Sequence, residues 1–132
     1  MAKKVLVVDD DPDMRNAITI ILESQDYKII TAQDGVEALA SLRAEQPDLM
    51  ILDLLMPNMD GFAVLKTLQD GRWSKYRETP ILILSSVRED ASRRRYELET
   101  ALELNVDDYI EKPVSPDILI QRVNNLLKDK GD

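Results

Sequence analysis

Five short apolar runs, separated by longer amphipathic stretches, constrain the fold of this chain more than any other feature. The runs are rich in Val, Ile and Leu and too short for buried helices, as is typical of strands covered on both faces. With their flanking residues they are KVLVV (4–8), YKIITA (27–32), DLMIL (48–52), PILIL (80–84) and DDYIE (107–111). Strands that alternate with helices favour a parallel sheet, and right-handed crossovers place the helices on both of its faces.

The stretches between and after the apolar runs predict five helices. Asp11 and Pro12 suit the N-cap and the first position of the first helix. Asp34 and Glu37 have the spacing of a capping box at the start of the second helix. The remaining helices are predicted at 60–70, at roughly 89–104 and from Ser115 onward. We therefore predict an α/β fold, a doubly wound sheet of five parallel strands with five helices.

Length and composition predict one domain over residues 1–132, with no output domain in this chain. The chain has no cysteine, which excludes disulfides and thiolate metal ligands, and no histidine, which excludes the commonest general base. No apolar run approaches the roughly 20 residues that span a bilayer. We expect a cytoplasmic protein that has no membrane partner.

The formal net charge of −8 argues against generic binding to nucleic acid, because phosphates repel an acidic surface. The run Arg93–Arg95 is a local exception, and the acidic residues on either side of it favour a solvated helix face. A docking site for an acidic partner is the alternative for this run. We predict no direct nucleic-acid partner.

Polar residues stand at the ends of four of the five predicted strands. Asp9 and Asp10 follow the first strand, Asp53 the third, Ser85 the fourth and Lys112 the fifth. In a doubly wound sheet the carboxyl ends of the strands share one edge, where ligands bind. Crowded carboxylates stay ionised only beside a cation, and oxygen ligands favour Mg²⁺. Taken singly, each residue could instead be a loop acid, a turn cap or a surface lysine.

The motifs around these strand ends resemble those of response-regulator receiver domains of two-component signalling. They are VLVVDDDPDMR (5–15), ILDLLMPNMDG (51–61), PILILSS (80–86) and DDYIEKP (107–113). The resemblance extends over essentially the whole chain and implies a CheY-like (flavodoxin-like) sheet of strand order 2-1-3-4-5. It also implies a phosphoprotein that catalyses its own phosphorylation and dephosphorylation, rather than an enzyme with a separate substrate.

The resemblance assigns Asp53 as the phosphoacceptor and implies that its phosphorylation depends on Mg²⁺. Asp9 and Asp10 match the acidic pair that positions the metal, with Asp10 as the more direct ligand. Asp53 itself and the backbone carbonyl of Leu55 complete the implied set of metal ligands.

Three further positions match family residues that respond to phosphorylation. Lys112 matches the lysine that holds a phosphoryl oxygen, and the Lys112–Pro113 peptide is expected to be cis. Ser85 matches the switch hydroxyl, and Tyr109 matches the aromatic switch residue. The resemblance implies that the surface of the fourth helix, fifth strand and fifth helix then changes its packing.

The implied partners are proteins. Because the chain has no histidine, the phosphoryl donor is expected to be a sensor histidine kinase or a phosphotransfer protein. A downstream protein target is expected at the switched surface, and the chain is expected to be a monomer or a phosphorylation-linked dimer. The start MAKK and the charged end favour a stand-alone receiver, and a receiver fragment of a longer regulator is the alternative.

A haloacid-dehalogenase-like phosphatase is the alternative from a different class, since it also uses a strand-end aspartate, Mg²⁺, a hydroxyl and a lysine. That class needs a second acid two residues after the nucleophile, where this chain has Leu55. A flavodoxin-like flavin carrier fits less well, because the acids of DDDPD (9–13) would repel a phosphate. A receiver that serves only as an interaction module is disfavoured, because every phosphorylation position is filled.

Overall fold

The computed structural model describes residues 2–85 and 106–128 of the 132-residue chain. Five parallel strands form one sheet in the order β2-β1-β3-β4-β5. The strands are β1 (Lys4–Val8), β2 (Lys28–Ala32), β3 (Leu49–Asp53), β4 (Ile81–Ser85) and β5 (Asp108–Glu111). The predicted doubly wound α/β fold is confirmed, and so is the strand order that the resemblance implies.

Four α-helices and a short 3-10 helix accompany these strands in the described ranges. They are α1 (Pro12–Glu23), α2 (Gly35–Glu45), α3 (Gly61–Leu68), the 3-10 helix (Gly71–Tyr76) and the C-terminal helix (Pro116–Lys128). The helix predicted at roughly 89–104, with its run Arg93–Arg95, lies outside the described residues. Within residues 2–85 and 106–128, no helix has the length and apolar character needed to cross a membrane.

The predicted caps define where α1 and α2 begin. The side chain of Asp11 accepts a hydrogen bond from the backbone N–H of Asp13 at 2.9 Å, and Pro12 is the first helical residue. Asp34 Oδ1 accepts from the N–H of Glu37, also at 2.9 Å. Each cap satisfies a backbone donor that has no partner inside its own helix.

Two separate apolar clusters cover the two faces of the sheet, because successive strand residues point to opposite faces. One cluster joins the sheet to α2, α3 and the 3-10 helix, and it includes Leu6, Val8, Leu42, Met50, Leu52, Val64, Leu65 and Trp73. The other joins the sheet to α1 and the C-terminal helix, and it includes Val5, Val7, Ile18, Leu22, Leu49, Ile51, Leu119 and Val123. With both faces covered, the carboxyl edge is where polar side chains from several strands can meet.

Candidate functional site

Three carboxylates meet at the carboxyl edge of the sheet. Asp9 and Asp10 directly follow β1, and Asp53 is the last residue of the neighbouring strand β3. One oxygen from each carboxylate lies within 4.8 Å of the other two. Asp9 is completely buried and Asp53 is 4% exposed, whereas Asp10 is exposed at the rim. The structure therefore brings together the three acids that the sequence placed at strand ends.

Lys112 places an ammonium group against these carboxylates. Its Nζ lies 3.0 Å from Asp9 Oδ2 and 3.4 Å from Asp53 Oδ2. The backbone N–H of Lys112 donates to the carbonyl of Ser85 at 2.7 Å, and the Lys112–Pro113 peptide is cis as expected. The end of β5 is thereby tied to the end of β4, which is the neighbour of β3 in the sheet.

The surroundings of Asp53 and Lys112 shift the pKa of both groups. Burial and the nearby charge of Asp9 raise the pKa of Asp53 to about 7, against the attraction of Lys112. Burial lowers the pKa of Lys112, but the charges of Asp53 and Asp9 outweigh burial and raise that pKa overall. Lys112 is therefore protonated at neutral pH, and its one charge does not balance the carboxylates around it.

The donor set at this edge fits a hard divalent cation. All three side chains offer carboxylate oxygens, which Mg²⁺ prefers over nitrogen and sulfur ligands. Asp9 Oδ2 is buried and, beyond its ion pair with Lys112, has no hydrogen-bond partner in the described ranges. An added cation would offset the excess negative charge and occupy that free side of the oxygen.

Two further predicted site residues lie next to the acids. Ser85 is the last residue of β4, and its hydroxyl is buried without a hydrogen-bond partner among residues 2–85 and 106–128. Leaving a buried hydroxyl unpaired is unfavourable, so this group can gain by binding a ligand oxygen. The backbone N–H of Leu55 donates to Asp53 Oδ1 at 3.3 Å and helps to orient the acceptor.

Tyr109, the predicted aromatic switch residue, lies in β5 and is 40% exposed. With Ile118 and Arg122 it lines an open groove of about 300 Å³ between β5 and the C-terminal helix. Arg122 Nη1 binds Asp108 Oδ1 at 2.7 Å and the carbonyl of Tyr109 at 3.1 Å. These contacts connect the backbone of β5 to the helix that follows it.

Two contacts near the site were not predicted from the sequence. Arg15 Nη1 donates to the backbone carbonyl of Asp9 at 2.6 Å, and Asn58 Nδ2 donates to Asp34 Oδ2 at 3.2 Å. The contact of Arg15 could have been anticipated, because Arg15 lies one turn into the helix that follows the acidic end of β1. The contact of Asn58 was harder to anticipate, because the sequence indicates only that asparagine tolerates a left-handed backbone.

A family model described as the response regulator receiver domain matches residues 5–124. The chain belongs to the response regulator receiver family. The matched range contains all of the site residues named above, and receiver domains serve two-component signalling. Receivers generally bind Mg²⁺ at an acidic pocket, a property with which the three clustered aspartates agree.

Curated relatives of this receiver are about twice as long. The probable transcriptional regulator ycf27 of Cyanophora paradoxa is 39% identical over 126 residues, which are 96% of this chain and 48% of that protein. The alkaline phosphatase synthesis transcriptional regulatory protein PhoP of Bacillus subtilis is 38% identical over 128 residues, which are 97% of this chain and 50% of that protein. The receiver spans about half the length of these curated relatives.

A solved structure shows the same architecture. The chemotaxis protein CheY4 of Vibrio cholerae superposes with a TM-score of 0.83 at 30% identity, over 96% of this receiver and 100% of that chain. The CheY-like fold is confirmed by this likeness together with the strand order.

Two expectations from the sequence need revision for this receiver. The relatives named above are transcriptional regulators, so the prediction of no nucleic-acid partner, which rested on net charge alone, is unsupported. Net charge describes the average surface and carries no information about a binding site elsewhere in a longer regulator. The phosphatase alternative is not supported either, because the family match is to receivers.

Proposed function

We propose that this receiver accepts a phosphoryl group on Asp53, in a Mg²⁺-dependent reaction, from a sensor histidine kinase or a phosphotransfer protein. One observation carries the proposal, namely that the Asp9, Asp10 and Asp53 carboxylates cluster within 4.8 Å beside the Lys112 ammonium. This arrangement combines a buried nucleophile, a set of oxygen ligands and a fixed positive charge.

The reaction exchanges one bond to phosphorus for another. A carboxylate oxygen of Asp53 attacks the phosphorus in line and forms the O–P bond of an acyl phosphate. The N–P bond of the donor phosphohistidine breaks, and its electron pair stays on that ring nitrogen. The donor leaves as a neutral imidazole because its other ring nitrogen carries a proton. Lys112, 3.4 Å from Asp53 Oδ2, is placed to hold an oxygen of the transferred group.

Asp9, Asp10, Asp53 and the backbone carbonyl of Leu55 are the groups that would hold Mg²⁺. When bound, the ion neutralises negative charge on the acceptor and on the phosphoryl oxygens. Asp9 is kept in place by the hydrogen bond from Arg15 to its carbonyl, and its Oδ1 accepts from the N–H of Asp11 at 3.0 Å. These contacts fix the end of β1 before any ligand arrives.

The phosphorylated state is read through Ser85 and Tyr109. The Ser85 hydroxyl, buried and unpartnered within the described ranges, gains an acceptor when a phosphoryl oxygen occupies the site. Its movement opens space into which Tyr109, now 40% exposed, turns. The groove that Tyr109 lines then changes shape, and a downstream protein target that binds this surface distinguishes the two states.

The length of the relatives bears on the output. Transcriptional regulators twice as long as this chain support the alternative in which the receiver is one part of a longer regulator. In that case a contact with nucleic acid would belong to the other part, and the receiver would govern it through the groove beside Tyr109.

The proposal is tested by intact-protein mass spectrometry after incubation with acetyl phosphate, with and without Mg²⁺. We expect one added phosphoryl group that requires Mg²⁺ and is lost in Asp53→Asn. Asp26→Asn is the matched control, because Asp26 is an exposed acid in the turn before β2, at the opposite end of the strands. An adduct that persists in Asp53→Asn would place the acceptor on another residue.

A further inference from the structure

We infer that Asp34 and Asn58 are positioning residues for the phosphoacceptor site, because their hydrogen bond holds the loop that leaves Asp53. This inference rests on the proposed function for its catalytic consequence. The loop comprises residues 54–60 and connects β3 to α3. Neither residue belongs to the cluster of three carboxylates at the carboxyl edge of the sheet. Their proposed effect on Asp53 and on metal binding is therefore indirect, through the backbone of this loop.

The bond between Asp34 and Asn58 joins the loop to the start of α2. Asn58 Nδ2 donates to Asp34 Oδ2 at 3.2 Å, while Asp34 Oδ1 caps α2 by accepting from the N–H of Glu37. Asp34 is only 8% exposed, and each of its two carboxylate oxygens accepts one of these hydrogen bonds. The bonds from Glu37 and Asn58 also lower the pKa of Asp34, which keeps the group ionised.

The backbone of Asn58 is held in an unfavourable conformation. Its φ of 67° lies in the left-handed region, which non-glycine residues adopt only at a cost and asparagine tolerates better than most. The side-chain bond to Asp34 offsets that cost. A strained residue fixed by a specific partner is a recurrent feature of functional loops.

A second contact fastens the loop to the same helix start. The N–H of Gly35 donates to the carbonyl of Met59 at 2.8 Å, and a Cβ at Gly35 would lie 2.7 Å from that carbonyl oxygen. Glycine is therefore required for this close approach. The N–H of Gly61, the first residue of α3, donates to the carbonyl of Leu54 at 3.0 Å and so joins the two ends of the loop.

Leu55 is the residue of this loop that contacts the phosphoacceptor. Its N–H donates to Asp53 Oδ1 at 3.3 Å, and its carbonyl is one of the groups proposed to hold Mg²⁺. The backbone bonds of Gly35 and Gly61 remain when the Asn58 amide is removed, so we expect the segment between them, which contains Leu55, to loosen rather than to detach. Hydrogen bonds made directly to metal ligands change metal affinity by roughly 10–100-fold when they are removed, and we expect the lower end of that range for a contact that acts through the loop backbone.

The test uses variants of the full chain that separate the side-chain bond from backbone strain and from helix capping. Asn58→Gly removes the amide while tolerating the left-handed backbone. Asp34→Ser keeps a capping oxygen for α2 but loses the carboxylate that binds Asn58. Asp26→Gly is the matched control, because Asp26 is also left-handed, with φ 66°, and exposed.

Three readouts apply to each variant: the Mg²⁺ dissociation constant by calorimetry, the rate of phosphorylation by acetyl phosphate at saturating Mg²⁺, and amide hydrogen exchange at Leu55. We expect Asn58→Gly to weaken Mg²⁺ binding about tenfold, to slow phosphorylation and to speed exchange at Leu55. Asp34→Ser is expected to do the same, and the double variant to add little, because one contact is shared. Asp26→Gly should match wild type.

Unchanged Mg²⁺ affinity and unchanged exchange at Leu55 in Asn58→Gly would overturn the inference. A loss of thermal stability with no change in these readouts would reduce the contact to a structural one, which also overturns it. If wild type neither binds Mg²⁺ nor becomes phosphorylated, the proposed function fails. The positioning role is then tested by hydrogen exchange alone: faster exchange at Leu55 in Asn58→Gly supports it, and unchanged exchange overturns it.

Discussion

The ammonium of Lys112 lies closer to Asp9 than to Asp53, at 3.0 Å against 3.4 Å. Asp9 is completely buried, so Lys112 is the cation that offsets a carboxylate with no access to water. The same ammonium is close enough to Asp53 to hold a group transferred there. Lys112 therefore offsets buried charge in the unligated protein and is also placed to act in the proposed reaction.

Replacing Lys112 by Ala should reduce phosphorylation by acetyl phosphate roughly 100-fold, the usual effect of removing one charge-stabilising group from a reacting centre. Mg²⁺ should still bind, because all of the carboxylate ligands remain. The measurement is the rate of adduct formation by mass spectrometry at saturating Mg²⁺. Lys66→Ala, at an exposed position of α3, is the control of equal charge.

Loss of Lys112 also leaves buried negative charge unbalanced, which destabilises a protein by about 3–5 kcal/mol in comparable sites. Phosphorylation rates are therefore compared at a temperature where wild type, Lys112→Ala and Lys66→Ala are all folded. Lys112→Arg is a further variant that keeps the positive charge. Wild-type phosphorylation in folded Lys112→Ala would refute the role assigned to the ammonium.

Without metal, the free energy of unfolding should fall as the pH rises from about 4 to about 7. Asp53 has a folded pKa of about 7 against an ordinary value of 3.8, so over this window the folded chain binds more protons than the unfolded chain. Stability decreases with pH when the folded state binds more protons. Urea unfolding in EDTA at a series of pH values measures the slope.

Asp53→Asn removes the titrating group and should flatten this pH profile. Asp9, Asp10 and Lys112 are present in both proteins, so the difference between the two profiles reports the titration of Asp53 together with its effect on these neighbours. We expect the variant to be more stable than wild type at pH 7 without metal. Parallel profiles would show that the pKa of Asp53 is not raised in the folded protein.

Mg²⁺ should stabilise the folded receiver by mass action. At about one hundred times the dissociation constant, a ligand that binds only the folded state adds about 2.7 kcal/mol to the free energy of unfolding. Replacing Asp10 by Asn should lose most of this increment, while the exposed control Asp26→Asn should keep it. An equal increment in both variants would remove Asp10 from the metal ligands.

Gly61→Ala should destabilise the receiver by about 1–3 kcal/mol, because an added Cβ meets backbone that cannot easily move. That Cβ would lie 2.5 Å from the carbonyl oxygen of Asp53 and 2.8 Å from the Cα of Leu54. At Gly71 a Cβ meets nothing within 4 Å, so Gly71→Ala should change stability by less than about 0.5 kcal/mol. Urea unfolding of both variants checks the contrast, and equal effects would contradict it.

Much of the fold could be predicted because its signals are local. The apolar runs indicated all five strands to within a residue or two, and Asp11 and Asp34 capped α1 and α2 where the sequence indicated. The 3-10 helix over Gly71–Tyr76 was not predicted, since its polar composition resembles that of an ordinary loop. The strand order came from a family resemblance rather than from the physical pattern.

By itself, the sequence determined which elements form and which polar residues stand at strand ends, because apolar periodicity and helix capping act between near neighbours. Only the tertiary structure decided that Lys112 meets Asp9 and that Asn58 binds Asp34. Such pairs are far apart in the chain, and their separation in space depends on how the crossover helices pack the strands side by side. The raised pKa of Asp53 has the same origin, because burial and the field of Asp9 exist only after the sheet has assembled.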